Sequence, residues 1–423
     1  MNLQVRLIDL IKAFSSALDL VSRAVADHHV HVGYLSARLG ERLGLDPQRR
    51  SELLLAALLH DAGAISMNVA LEGLDFERDV DAHARAGAAL LSTCPRLARA
   101  SQVVLLHHVP WRELDQSRRR DQDACIIHLA DRADVQFKRG VPLAEQAERM
   151  LGRLEPGRGW LYASEHMDAL RDVLLDPATA EGLQNPGAYL HTGPGERPEN
   201  EVLDTDGIIA FSNLFSLIID WRSPFTATHS TGVAETSRVL ARWLGFSPDG
   251  AKVVYVAGLL HDIGKLGVPL DILEKPASLT AEELVEMQLH ARRSLDILGG
   301  VPGLEQVALW GGQHHERLDG TGYPHGRKGD ELDLATRIVA VADVFTAITE
   351  DRPYRKGMPY ATAMSVLRTQ ARDGLLDGRV VEALLERFDE VDDVRRRSQT
   401  RARQEFDRVL AEFSRNQTSG VDA

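Results

Sequence analysis

Two stretches of this chain nearly repeat each other: LAALLHDAGAISMNVAL at residues 55–71 and AGLLHDIGKLGVPLDIL at residues 257–273. In each, a histidine–aspartate pair interrupts an apolar run. The pairs, His60-Asp61 and His261-Asp262, lie 201 positions apart. His28 in HHVHVGYLSARLGERLGL and His229 in HSTGVAETSRVLARWLGF keep the same offset, so the histidine-to-histidine spacing is 32 in both halves. Further on, His83 matches His290 and His107-His108 match His314-His315 at an offset of 207, and Asp131 matches Asp343 at 212. The insertions fall between motifs, never inside them. Such a chain is an internal duplication and must fold as two copies of one unit.

The unit is helical. Apolar residues recur three and four apart in DLIKAFSSALDLVSRAV, RRSELLLAALLHDAG and AEELVEMQLHARRSLDIL, while period-two runs are scarce. Aromatic residues make up 5% of the chain, which also disfavours a large sheet. The expected fold class is all-α, with two tandem helical domains, as 423 residues require more than one ordinary core. Breaks fall at GLDPQRR, RLEPGRG and FSPDG. The strongest is LQNPGAYLHTGPGERPEN at 183–200, rich in Pro and Gly, which sets domains of 1–195 and 201–423. The tail RARQEFDRVLAEFSRN spaces Phe406, Val409, Leu410 and Phe413 as an amphipathic helix. That helix is expected to cover the second domain's core, with a homodimer contact as its other use.

A net charge of −13 argues against a nucleic-acid polymer as partner, since phosphate backbones call for a basic footprint. Cys94 and Cys125 are the only cysteines and form no disulfide framework, favouring a reducing compartment. The start, MNLQVRLIDLIKAF, does not look like a secretion signal, and no segment approaches the roughly 20 apolar residues of a bilayer span. A cytoplasmic protein with no membrane partner is expected.

In the second half, His229, His261, Asp262, His290, His314, His315 and Asp343 all sit in helix-like apolar contexts. A lone histidine on an apolar face is more often a hydrogen-bonded core residue than a ligand. A set of seven that recurs in two halves is not explained that way, because buried polar side chains need a partner and these would share one. Mixed imidazole and carboxylate donors suit iron, manganese, zinc or nickel better than magnesium or calcium. Seven donors exceed the needs of one ion. Two ions fit, with Asp262 as bridge: one on His229, His261, Asp262 and Asp343, the other on Asp262, His290, His314 and His315.

HDIGK at 261–265 followed by HHERLDGTGYP at 314–324 resembles the HD-GYP family of HD metal-dependent phosphohydrolases, over roughly residues 205–390. The resemblance implies two or three transition-metal ions, commonly iron or manganese, and hydrolysis of a bacterial cyclic dinucleotide, c-di-GMP first and 3′3′-cGAMP second. Two ions can clamp a phosphodiester and acidify water for in-line attack. It further implies catalytic roles for Asp262 and Lys265, the latter neutralising phosphate or protonating the leaving 3′-oxygen. Substrate contacts would come from Lys265, from Tyr323 in the loop of Gly320, Gly322 and Pro324, and from Arg352 and Arg355. Members using three metals tend to carry an acid four residues before the first histidine. Phe225 stands there, so two metals are expected. Arg292 and Arg293 follow His290 where a small residue is common.

The first half keeps the whole ligand set, His28, His60, Asp61, His83, His107, His108 and Asp131, with Asp134 as a rival to Asp131. Yet Ala64 stands at the lysine position and HHVPWRELDQSRRR replaces the Gly-Tyr-Pro loop. A regulatory metal-binding domain, a second hydrolase of other specificity and a retained scaffold are the readings open to it. Tandem chains of this kind resemble enzymes that cleave 3′3′-cGAMP. The reading of another class is a catalytically silent module that binds a cyclic dinucleotide or metal and signals through a protein partner. A nucleotide triphosphohydrolase is disfavoured by DGTGYP.

Overall fold

The structure, a computed structural model, describes residues 2–21, 27–64, 80–187, 200–222, 228–351 and 356–418. It is built almost entirely of helices, as the 3.6-residue periodicity predicts. The strands among the described residues are two two-residue segments, Val5–Arg6 and Val202–Leu203, which pair with each other.

The chain divides into two compact units. One comprises Arg6–Glu201 with the tail from Val409, and the other comprises Val202–Arg408 with the residues up to Val5. The extreme N-terminus thus groups with the C-terminal unit, unlike the single boundary drawn from the Pro/Gly-rich stretch. Hydrogen bonding explains it: the backbone N–H of Leu3 donates to the side-chain Oγ1 of Thr205 at 3.0 Å, beside the short strand pair.

Within each unit the same helices follow in the same order. Leu7–Asp19, His28–Arg42, Pro47–Leu58, Val80–Ser92, Ala98–Val104 and Arg119–Gln136 in the N-terminal unit answer to Thr205–Trp221, His229–Trp243, Pro248–Leu260, Ala281–Gly299, Glu305–Gly312 and Leu334–Thr349 in the C-terminal one. Two of the sequence breaks are helix punctuation conserved between the copies. His28–Arg42 and His229–Trp243 both stop on a left-handed glycine, Gly44 (φ 69°) and Gly245 (φ 97°). In each, the next N–H bonds back five residues, Leu45 to Gly40 O and Phe246 to Ala241 O, both at 2.9 Å. The following helices start at Asp46-Pro47 and Ser247-Pro248, whose capping oxygens accept from Arg49 N–H and Gly250 N–H.

Each unit buries its own core: Ile8, Leu10, Ile11, Phe14 and Tyr34 in the first, Phe211, Phe215 and Phe345 in the second. The C-terminal helix runs over Phe388–Thr418. Phe406 packs on Trp221 with ring centroids 5.0 Å apart, and Val409 is buried. The side chains of Leu410 and Phe413 lie outside the described residues.

Candidate metal centre

The histidine–aspartate pairs do not sit inside helices, as their apolar flanks suggest, but just past helix ends. Pro248–Leu260 stops at His261, and a short 3-10 turn, Ile263–Gly267, follows Asp262. His314 and His315 likewise come just after Glu305–Gly312. The reason lies in hydrogen bonding. At a helix end the carbonyl three residues back is available, and the imidazoles of His261 and His314 donate Nδ1–H to it. His261 donates to Gly258 O (2.7 Å) and His314 to Gly311 O (2.6 Å), while His290, on Ala281–Gly299, donates to Met287 O (2.6 Å). A carbonyl can only accept, so Nδ1 carries the hydrogen and Nε2 presents a lone pair.

Those lone pairs converge. His261 Nε2 is 3.1 Å from Asp262 Oδ2, while His290 Nε2 and His314 Nε2 are 3.4 and 3.8 Å from Asp262 Oδ1. On one side, ligand atoms of His229, His261 and Asp343 lie within 4.8 Å of one another; on the other, so do those of His290, His314 and His315. The Asp262 carboxylate stands between the two groups. The glycine of HDIGK makes this approach fit: a Cβ on Gly264 would lie 2.1 Å from the His290 carbonyl. Only glycine lets the turn carrying Asp262 press against the helix carrying His290. Gly63 repeats the device, with His83 O at the same 2.1 Å.

The atoms facing the centre are buried and lack partners: His261 Nε2, His290 Nε2, His314 Nε2 and Asp262 Oδ1. Such a cluster in one core is destabilising unless a shared cation satisfies it, so these residues fit a metal centre. The electrostatics agree. Burial pushes His290 down to about 4 and His315 to about 3, leaving both neutral and able to ligate. Burial would raise Asp262, yet His261 and Lys265 hold it well below the usual carboxylate range. His229 is the exception: burial would lower it, yet Glu350 and Asp343, on its two nitrogens, push it up to about 10, so an ion held there must take the place of the Nε2 proton.

The N-terminal unit assembles its own set in the same way. His60 Nδ1 donates to Ala57 O (2.8 Å) and His107 Nδ1 to Val104 O (2.7 Å). Asp61 stands centrally, with Oδ2 3.3 Å from His60 Nε2 and Oδ1 3.3 and 3.6 Å from His83 and His107 Nε2. His108 Nε2 is 3.0 Å from His83 Nε2. The choice between Asp131 and Asp134 is a matter of which nitrogen each faces. Asp131 Oδ1 lies 3.5 Å from His28 Nε2, on the cluster side, whereas Asp134 accepts from the Nδ1 side of both His28 (2.8 Å) and His31 (2.9 Å).

Comparison with known proteins accords with this duplication. HD domain models match residues 25–136 and 213–380. A Vibrio cholerae protein named 3′3′-cGAMP-specific phosphodiesterase 1 is 34% identical over 389 residues, covering 87% of this chain and 89% of its own. This chain belongs to the HD-GYP family. The Xanthomonas campestris cyclic di-GMP phosphodiesterase response regulator RpfG is 37% identical over 169 residues, 40% of this chain and 44% of that protein. In fold, the chain is similar to the crystal structure of a V. cholerae cyclic GMP-AMP specific phosphodiesterase (V-cGAP3), with TM-score 0.64 and 23% identity over 91% of this chain and 98% of that one.

The HD-GYP residues proper sit beside the C-terminal cluster. Lys265 Nζ lies 2.5 Å from Asp262 Oδ2. The Tyr323 ring stacks on His315 (centroids 4.7 Å apart, 35° between planes), and burial pushes its hydroxyl pKa up. The loop is tied from within: buried Glu316 accepts from His325 N–H (2.7 Å) and Arg327 N–H (2.9 Å), and Asp319 accepts from Thr321 N–H and Oγ1. Arg293 donates to Gly267 O and Glu286 and Arg292 to Asp296. Arg352, Arg355 and Phe225 lie outside the described residues.

Several residues near the HD-GYP site carry no motif. Glu350 accepts from His229 Nδ1 (3.2 Å), and Glu350 in turn accepts from Gln399 Nε2 (3.1 Å), whose Oε1 takes Arg395 Nη1 (2.5 Å). The C-terminal helix, beyond the matched domain model, therefore reaches the centre through Glu350. In the N-terminal unit, sequence reasoning passed over His29, His31 and Asp19; the three-histidine run HHVH was the available signal. Among the described residues no helix is long and apolar enough to cross a membrane.

Proposed function

We propose that the C-terminal unit hydrolyses a bacterial cyclic dinucleotide to its linear form. The observation that carries the reading is the convergence of buried, partnerless imidazole and carboxylate atoms on Asp262, next to Lys265 and Tyr323. Two divalent transition-metal ions, iron or manganese first and nickel or zinc after them, would be held by His229, His261, Asp262 and Asp343 and by Asp262, His290, His314 and His315. When bound they supply Lewis-acid polarisation of the phosphodiester and a water of lowered pKa.

The protein's own groups do the rest. Asp262 offers one oxygen to each cluster and so sets their spacing. Lys265, half-buried against Asp262, places an ammonium where the phosphate charge develops and can deliver a proton to the departing 3′-oxygen. Tyr323, stacked on His315, gives a nucleobase or ribose a rigid wall. Arg352 and Arg355 are proposed to grip the phosphates and guanine. We rank 3′3′-cGAMP ahead of c-di-GMP, the reverse of the order expected from the sequence, because the relative named for 3′3′-cGAMP spans both halves of the chain, where RpfG matches less than half. Neither cysteine is disulfide-bonded and both are buried, which fits a cytoplasmic setting.

The N-terminal unit, with Ala64 for the lysine and no Gly-Tyr-Pro loop, is proposed to hold metal through His28, His60, Asp61, His83, His107, His108 and Asp131 without cleaving the nucleotide. The test is turnover of both nucleotides across iron, manganese and nickel, with metal analysis of the same protein. Asp262→Ala is expected to lower turnover by about 10³-fold or more and to lose metal, as loss of a shared ligand disrupts both ion positions. Full activity of that variant after metal depletion would refute the assignment.

A further inference from the structure

We propose that His29, oriented by Asp19, is an additional metal ligand of the N-terminal unit, acting together with His60 and Asp61. The inference rests on the reading of that unit as metal-binding and adds a donor that lies outside the duplicated set.

His29 is 1% exposed, and its Nδ1 is bonded to Asp19 Oδ1, an oxygen that also accepts its backbone N–H at 3.4 Å. With the carboxylate oxygen accepting, the hydrogen sits on Nδ1, and in the neutral ring Nε2 presents a lone pair. That Nε2 is buried with no hydrogen-bond partner. It does not face apolar core: ligand atoms of His29, His60 and Asp61 lie within 4.8 Å of one another, and the His29 ring centroid is 5.3 Å from that of His60. His60 Nε2 is itself buried and unpartnered. Two buried imidazole nitrogens without hydrogen-bond partners, gathered with a carboxylate, are costly unless a shared cation satisfies them. A carboxylate behind the distal nitrogen is the arrangement that orients a ligating histidine and raises its basicity.

The other unit shows what the same backbone does without this ligand. At the offset of 201, Asp19 corresponds to Asp220 and His29 to Ser230. There the Ser230 hydroxyl donates to Asp220 Oδ1 at 2.8 Å, and the pair closes on itself. The carboxylate is common to both copies, and only the N-terminal one spends it on an imidazole. With His29 the N-terminal donors number six imidazoles and two carboxylates, against five and two in the C-terminal unit. One of those carboxylates, Asp131, is also held by Arg132 through bonds of 3.0 and 2.7 Å to its Oδ2. Richer in nitrogen and poorer in free negative charge, the N-terminal site suits late first-row ions such as cobalt, nickel or zinc better than manganese.

The test is cobalt(II) titration of the metal-free full chain, read by visible absorption and by bound equivalents at buffered free cobalt. Wild type is compared with His29→Ser, Asp19→Asn and His83→Ala. His29→Ser installs the residue the other unit tolerates at this position, so the fold has a precedent for it. His29→Ser should raise the apparent Kd of one class of cobalt by at least about 10-fold and alter its absorption bands. Asp19→Asn should weaken the same class by about 10–100-fold, the usual effect of removing a carboxylate behind a ligating histidine. Should His29→Ser fail to fold, by circular dichroism, the Asp19→Asn result decides. Unchanged affinity and spectrum in folded His29→Ser, or in Asp19→Asn if that variant decides, with cobalt lost in His83→Ala, would overturn the role of His29 while leaving the N-terminal metal site standing. Unchanged cobalt uptake in all three variants would overturn both. Cyclic-dinucleotide turnover by the wild type reports separately on the C-terminal unit.

Discussion

At the scale of single residues, the centre is organised by which ring nitrogen carries hydrogen. His261, His290 and His314 each spend Nδ1 on the carbonyl three residues back, so local backbone aims three lone pairs at Asp262 before any ion arrives. His229 differs: its Nδ1 faces Glu350, a residue 121 positions away. Glu350→Gln keeps the shape but removes the charge that holds this imidazole. It is expected to weaken metal affinity by about 10–100-fold, checked by competition with a chelator of known affinity. Affinity equal to wild type would show that Glu350 serves packing alone.

At the scale of elements, two features set how tightly the cluster closes. The turn Ile263–Gly267 meets the helix Ala281–Gly299 backbone to backbone at Gly264. Gly264→Ala must push them apart and is expected to destabilise the C-terminal unit by about 1–3 kcal/mol or more, read from its urea midpoint. Because the shift also moves Asp262 from His290, metal content should fall in parallel. The second feature is the helix Phe388–Thr418, which supplies Arg395 and Gln399 to Glu350. Gln399→Ala leaves Glu350 short of a donor. The expected outcome is a smaller effect than Glu350→Gln on the same metal competition assay, and no effect there would confine this helix to covering the core.

At the scale of the whole molecule, the chain is two units with separate cores, each gathering imidazoles and carboxylates around a histidine–aspartate pair. Ions bound only by the folded units stabilise them by mass action, about 2.7 kcal/mol when free metal is 100 times Kd. For domains near 200 residues that corresponds to roughly 5–10 °C. Chelation is therefore expected to lower the melting transitions of both units in differential scanning calorimetry. If only one transition moved, the unit whose transition stayed put would bind no metal under those conditions.

The sequence by itself determined the residue types, their order and their duplication. His and Asp at matched offsets, the helical periodicity, and the pairing of HDIGK with HHERLDGTGYP are short-range or repeated signals that survive in one dimension. The helix stops and starts around GLDPQRR and FSPDG were legible for the same reason, since glycine and capping residues act on their own few neighbours, whereas the stops before His60 and His261 lay hidden in apolar runs. Only the tertiary structure decided what stands behind the ligands. Glu350 behind His229, Asp19 behind His29, and Arg395 with Gln399 behind Glu350 come from remote or unpatterned positions. It also joined the residues up to Val5 to the C-terminal unit through a short strand pair and a bond from Leu3 N–H to Thr205 Oγ1, neither of which leaves a periodic pattern. Ligands repeat because each copy needs the same donors. The groups that orient them need only reach the right nitrogen, and any acid or amide on any nearby element can do so.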